Sequence, residues 1–167
     1  YLVLQSDISE LQAKYGDLGY AFANIIPETK VIPETRKVDV NFRFDKGEKV
    51  YFGKINIVGN DKTKDKVIRR ELKVVEGELY HETRKRKSLA NIKRLGYFED
   101  AVVFKTSTPA DKPNVIDIEI QVTEKNTGSI QVGAGYSSFQ KFVFNGQINQ
   151  SNLFGNGQKI SFALNYS

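Results

Sequence analysis

The sequence predicts an α+β fold: β-α-α-β-β modules, each a three-stranded sheet with two helices, followed past Thr127 by the first antiparallel strands of a transmembrane β-barrel. Three observations carry that reading. Between Lys49 and Glu124 the hydrophobic period switches in the order strand, helix, helix, strand, strand. Leu18-Gly19-Tyr20 recurs as Leu95-Gly96-Tyr97, 77 residues on, and after both come a strand, a Pro-containing turn and an alternating strand. Charge then stops: all 20 acids and all but two of the 25 basic residues precede Gly128, leaving Lys141 and Lys159.

A helix is expected from Ser6 to about Leu18. Ser6 is a candidate cap, Asp7 and Glu10 suit the first turn, and Ile8, Leu11 and Tyr15 share a face. Gly19 suits the left-handed position that closes it. An extended run from Ala21 to Val31 meets Pro33 and a turn. Val38, Val40, Phe42 and Phe44 then alternate with polar residues as a half-buried strand.

The complete copy opens with a strand over Val50–Val58, closed by Gly59-Asn60. A helix from Thr63 or Asp65 through Leu72 follows, then the Glu76-Gly77-Glu78 turn. The second helix, from Glu82 to Leu95, offers Leu89, Ile92 and Leu95 for burial, each worth about 1.5–3 kcal/mol if fully covered. A strand ends near Phe104, a loop spans Pro109 to Pro113, and Ile116, Ile118, Ile120 and Val122 alternate in the last strand. By the 77-residue period Tyr1 falls opposite Glu78, so the first copy lacks its opening strand and first helix. Tyr1 is also no initiator, and a piece of a longer chain is expected.

The tail has a different chemistry. Ile130, Val132, Ala134 and Tyr136 alternate with Ser129, Gln131, Gly133 and Gly135. Phe142, Phe144 and Ile148 alternate with Asn145, Gln147 and Asn149, and Ile160, Phe162, Leu164 and Tyr166 with Ser161, Ala163 and Asn165. A polar face built of Asn, Gln, Ser and Gly, opposite an apolar face ending in aromatics, is the pattern of a membrane barrel. From these residues alone a soluble antiparallel meander fits as well.

Composition excludes several classes. Net charge is +5 with both signs interspersed before Gly128, and there is no Cys for a disulfide or thiolate site. His81 is the only histidine, so a zinc site would have to be completed by carboxylates alone and no nucleophile–histidine–acid arrangement can be built around it; a solvated histidine at a helix start is the simpler reading. No enzyme, metal or cofactor is expected. Gly133-Ala134-Gly135 lacks the third glycine and the helix of a dinucleotide loop, and Gly155-Asn156-Gly157-Gln158-Lys159 fails the spacing of a phosphate loop. Arg84-Lys85-Arg86-Lys87 is the one basic run and reads as a solvated helix face, with phosphate contact, preferably to lipid headgroups, as the second reading.

In their order, Ile57-Val58-Gly59-Asn60, Val67-Ile68-Arg69-Arg70-Glu71-Leu72, Glu76-Gly77-Glu78 and Leu95-Gly96-Tyr97-Phe98 resemble the POTRA domain. Glu124-Lys125-Asn126-Thr127-Gly128, Gly133-Ala134-Gly135-Tyr136 and Asn152-Leu153-Phe154-Gly155-Asn156-Gly157 resemble the first barrel strands of the POTRA-plus-barrel outer-membrane assembly family. The resemblance implies an incomplete penultimate POTRA at 1–47, a complete last POTRA at 48–124, and a linker with three barrel strands at 125–167. It implies a Gram-negative outer membrane with the POTRA domains in the periplasm. The implied activity is insertion of unfolded outer-membrane proteins, with accessory lipoproteins and outer-membrane lipid as partners and no nucleic acid. Lipoprotein contact would fall on Arg69, Arg70 and Glu76.

A three-stranded sheet leaves an edge that can accept a client strand, expected near Glu99–Lys105 or Val115–Thr123 and centred on Val102, Val103 and Phe104. Gly128, Ile130, Val132, Gly133, Gly135 and Tyr136 would form a weakly paired seam strand. Phe142, Phe144, Ile148, Ile160, Phe162, Leu164 and Tyr166 would face lipid. Two alternatives stay open: a translocation pore of the same architecture serving one partner protein, and a soluble nucleic-acid-binding module using residues 84–87.

Overall fold

The computed structural model describes residues 2–33, 37–138 and 141–166, and three separate sheets follow one another along the chain. The turn expected after Pro33 falls on 34–36, outside the described residues. The elements are α1 (Leu2–Asp17), β1 (Asn24–Ile32), β2 (Lys37–Asp45), β3 (Tyr51–Val58), α2 (Asp65–Arg69), α3 (Glu82–Arg94), β4 (Val103–Ser107), β5 (Val115–Gln121), β6 (Gly128–Ser137), β7 (Lys141–Leu153) and β8 (Gln158–Tyr166). Helix α1 starts a turn before Ser6, so Ser6 does not cap it. Helix α2 is a single turn that stops short of Leu72; its N-cap, Lys64, makes no side-chain capping bond.

Two compact units result, one of Tyr1–Asn56, Leu72–Ser88 and Lys105–Glu119, the other of Ile57–Glu71, Leu89–Phe104 and Ile120–Ser167. The span 48–124 contributes to both.

In the first unit, β1 and β2 form an antiparallel hairpin whose register runs from Asn24 opposite Asp45 to Ile32 opposite Lys37. The Tyr15 ring of α1 packs 5.5 Å from that of Phe44. Val50, Phe52, Ile55, Val74 and Tyr80 are buried, with Phe52 and Tyr80 rings 5.1 Å apart. The segment Glu76–Tyr80 runs along the first half of β3: Phe52 N–H donates to Glu78 O, Gly77 N–H to Phe52 O and Tyr80 N–H to Val50 O. Gly77 makes this possible with φ of 84°.

The second unit buries Val67, Ile68, Ile92, Tyr97, Phe98 and Val122. Gly59 closes β3 with φ of 86°, and a Cβ there would sit 2.0 Å from the Val122 carbonyl oxygen, so no other residue fits. The repeated Leu-Gly-Tyr motif has one geometry in both copies. Leu18 N–H bonds to Tyr15 O and Gly19 N–H to Gly16 O; 77 residues later Leu95 bonds to Ile92 and Gly96 to Lys93. Gly19 and Gly96 are both left-handed, at 96° and 71°.

Strand order in the middle sheet is β3-β5-β4. Strand β5 is therefore central, and Val115–Thr123 is not the accessible edge the sequence suggested. The edges are β3, whose first half is covered by Glu76–Tyr80, and β4, whose outer side pairs with no strand among the described residues.

Candidate interaction surfaces

The last sheet, in the order β6-β7-β8, carries two opposite surfaces. Register places Ile130 beside Ile148 and Ile148 beside Phe162, then Ala134 beside Phe144 and Phe144 beside Tyr166. Nothing covers this face among the described residues: Ile130 is 74% exposed, Phe142 73% and Phe162 64%, while Phe144, Ile148, Ile160, Leu164 and Tyr166 are exposed as well. Tyr136 and Phe142 meet edge to face at 5.6 Å. The opposite face is a polar network, in which Gln147 Nε2 donates to Asn149 Oδ1 at 3.1 Å and the Ser161 hydroxyl donates to the same oxygen. A contiguous apolar row of this size in water would be costly. Hydrocarbon outside and polar groups inside is the environment that suits it.

The glycines of β6 are not equivalent. A Cβ at Gly133 would lie 2.1 Å from Asn145 Oδ1 and one at Gly128 2.5 Å from Gln150 Oε1, whereas one at Gly135 would meet open space. Two of the three make room for amide side chains of β7. The edge of β6 away from β7 has no partner among the described residues.

Strands β7 and β8 join through Asn152–Gly157, and this turn packs onto the loop before α2. The Asn152 side-chain amide donates to Thr63 Oγ1 at 2.7 Å and accepts from Gly157 N–H at 2.8 Å. Thr63 is held in turn by Glu124, whose carboxylate accepts the Thr63 N–H at 2.6 Å and the Lys62 N–H at 3.0 Å. Burial alone would raise the Glu124 pKa; the bonds from Thr63 and Lys62 outweigh it and lower it. A cleft of about 760 Å³ lies here, lined by Lys62, Glu124, Lys125, Ile130, Gln150 and Phe154 among others.

The other expected site residues are dispersed. Arg69 Nε bonds Asp65 Oδ2 at 2.7 Å, one turn back on α2, and Arg70 Nε lies 3.4 Å from Glu71. Glu76 Oε1 accepts the Ile55 N–H at 2.9 Å, extending the cover on the β3 edge. Glu76 thus has a structural task that its place in a turn did not announce. Val103 and Phe104 begin β4, while Val102 is buried just before it. Three members of the basic run are ion-paired: Arg84 with Glu78, and Lys85 and Arg86 with Glu82.

His81, at the start of α3, is half-buried. Its Nδ1 sits 2.8 Å from Asp17 Oδ1. Sequence reasoning missed Asp17 altogether, because its partners lie 64 and 66 residues away. Among the described residues, no group of His, Cys, Asp or Glu could hold a metal ion and no helix is long and apolar enough to cross a membrane.

A β-α-α-β-β module that runs into outward-apolar antiparallel strands is the build of a membrane barrel protein with modules at its foot. The family model described as POTRA, surface antigen variable number repeat, matches residues 3–47 and 50–125, and the chain belongs to that family. Over 165 residues it is 35% identical to the outer membrane protein assembly factor BamA of Nitratidesulfovibrio vulgaris, covering 99% of this chain and 21% of that protein. It is 34% identical over 160 residues to BamA of Neisseria meningitidis serogroup B, covering 96% of this chain and 20% of that protein. The crystal structure of BamA from Haemophilus ducreyi lacking POTRA domains 1–3 superposes with a TM-score of 0.87 at 29% identity, over 99% of this chain and 31% of that one. The chain spans about a fifth of the length of the curated relatives it matches.

Proposed function

We propose that this chain is the junction between periplasmic modules and barrel in an outer-membrane protein insertase. The POTRA part lies in the periplasm and strands β6–β8 in the outer membrane. The observation that carries the reading is continuity: the segment 115–124, which ends the last module, passes within four residues into β6, where a three-stranded sheet begins whose apolar face, Ile130, Phe142 and Phe162 among it, is exposed. Relatives named as outer membrane protein assembly factors, matched over 99% and 96% of the chain, support it.

In this reading residues 1–47 are part of the penultimate POTRA, 48–124 are the last one, and 125–167 open the barrel. Unfolded clients add a strand to β4 near Val103 and Phe104, on the outer strand of the middle sheet, where sequence demand is low. Accessory lipoproteins dock near Arg69, Arg70 and Glu76. Strand β6 is one side of a seam that opens because its free edge belongs to a glycine-rich strand, and unpaired edges in hydrocarbon seek any strand that satisfies them.

The test is reconstitution of the full-length protein in lipid vesicles with an unfolded barrel client, following protease protection of the client. Client folding faster than in protein-free vesicles is expected. Equal rates would overturn the proposal.

A further inference from the structure

We infer that the β7–β8 turn is a latch that fixes the second and third barrel strands to the last POTRA module, with Asn152 as its positioning residue, so that opening of the seam is confined to β6. The inference deepens the insertase reading and rests on it for its functional consequence. Its structural part stands on the turn itself.

The first observation is backbone strain. Asn152, Phe154, Gly155 and Gly157 all have positive φ, at 58°, 51°, 69° and 72°. Two of these are not glycine, and an exposed phenylalanine in the left-handed region is uncommon. Turns with glycine at every such position would join two antiparallel strands with less strain. Strain of this kind persists where the surroundings over-determine it.

The second observation is what over-determines it. Lys64 N–H donates to Gly155 O at 3.0 Å, and Tyr97 Oη donates to Gly157 O at 3.2 Å. A Cβ at Gly155 would lie 1.8 Å from the Lys62 carbonyl oxygen, and one at Gly157 2.5 Å from Arg70 Nη2. At Gly155 the turn therefore lies directly on module backbone, with no room for a side chain between them, and at Gly157 it lies against the Arg70 and Val67 side chains.

Asn152 joins the two halves. Its Oδ1 closes the turn on Gly157 while its Nδ2 reaches Thr63, which is 2% exposed and held by Glu124. Asparagine suits both demands, since it tolerates the left-handed region and carries a donor and an acceptor on one side chain. Aspartate would lose the donor, glycine both groups. Among the described residues β6 itself makes no such bond to the module; it pairs with β7 from Gly128 opposite Gln150 to Ser137 opposite Lys141, and Thr127 just before it exchanges bonds with Ser151 of β7.

The experiment uses the full-length protein in lipid nanodiscs, with spin labels at Lys66→Cys on α2 and Asn165→Cys on β8. Without further change, one narrow distance distribution is expected. Asn152→Gly keeps the backbone conformation and removes both bonds, and Thr63→Val removes the acceptor at nearly constant volume. Both are expected to broaden the distribution at least twofold and to slow client assembly by roughly tenfold, the effect of one lost buried hydrogen bond. Thr63→Ser, which restores the hydroxyl, is expected to return both readouts to the starting values. An unchanged distribution in Asn152→Gly and Thr63→Val would overturn the latch, and so would broadening in Thr63→Ser equal to that in Thr63→Val. A protein that shows the expected distances but assembles no client would leave the latch standing and refute the insertase reading.

Discussion

Asp17, the last residue of α1, caps α3: its carboxylate accepts the Thr83 N–H at 2.7 Å and the Thr83 hydroxyl at 2.6 Å, across 66 residues. The first turn of a helix presents N–H groups with no partner inside the helix, and here an acid from the preceding repeat supplies one. Burial would raise the Asp17 pKa, but the Thr83 bonds and the neighbouring His81 outweigh it and lower it. Asp17→Ala should therefore destabilise the first unit by about 1–2 kcal/mol, the usual loss for a removed cap. Urea unfolding measures it, and a midpoint equal to the parent's would show that the cap contributes nothing.

Glu82 supplies the acid sensitivity. Burial pushes its pKa up, while hydrogen bonds from Lys85, Tyr80 and Arg86 prevail and bring it from 4.5 down to about 2. The folded value lies below the unfolded one, so the contribution is complete above 4.5 and is lost as pH falls towards 2. Unfolding midpoints should therefore decline across that window. Glu82→Gln should flatten the decline; an equally steep fall in the variant would assign the acid sensitivity elsewhere.

Val103 opens β4, and proline is tolerated at the first residue of an edge strand. Val103→Pro should preserve the circular dichroism spectrum and thermal midpoint while weakening crosslinking of unfolded barrel clients to β4. Undiminished crosslinking would mean that clients bind elsewhere.

Phe162 and Ser161 are adjacent on β8 and face opposite ways. Phe162→Arg should cost about 2–4 kcal/mol near the bilayer midplane, and Ser161→Arg, on the polar side, much less. Equilibrium unfolding of the full-length protein from lipid bilayers compares them. Equal costs would contradict the assignment of the two faces.

Much of this fold was legible because periodicity is local. Val38 to Phe44, Ile116 to Val122 and the three tail strands announce themselves by alternation, and Gly19 and Gly96 mark helix ends by the conformation only glycine takes cheaply. What was not legible depends on residues far apart. Thr63 suits a helix start by residue type, yet its hydroxyl bonds Asn152, 89 residues on, and α2 begins at Asp65 without a side-chain cap. Glu76, expected at a lipoprotein contact, accepts the Ile55 N–H, 21 residues away, a bond that its place in a turn does not announce. The edge position of β4 follows from strand order, which alternation cannot give. The basic run is the helix face that its composition suggests, but its pairing with Glu78 and Glu82 follows from placement that composition does not give.

The contact between Asn152 and Thr63, 89 residues apart, also favours one order of events in biogenesis. A reversal held in shape from outside gains nothing by forming before its holder exists. Joining residues this distant carries a large loop-closure cost that only a folded partner repays. The periplasmic domain would then be complete first and serve as the mould on which the earliest hairpin of the barrel sets, with the remaining strands added away from it.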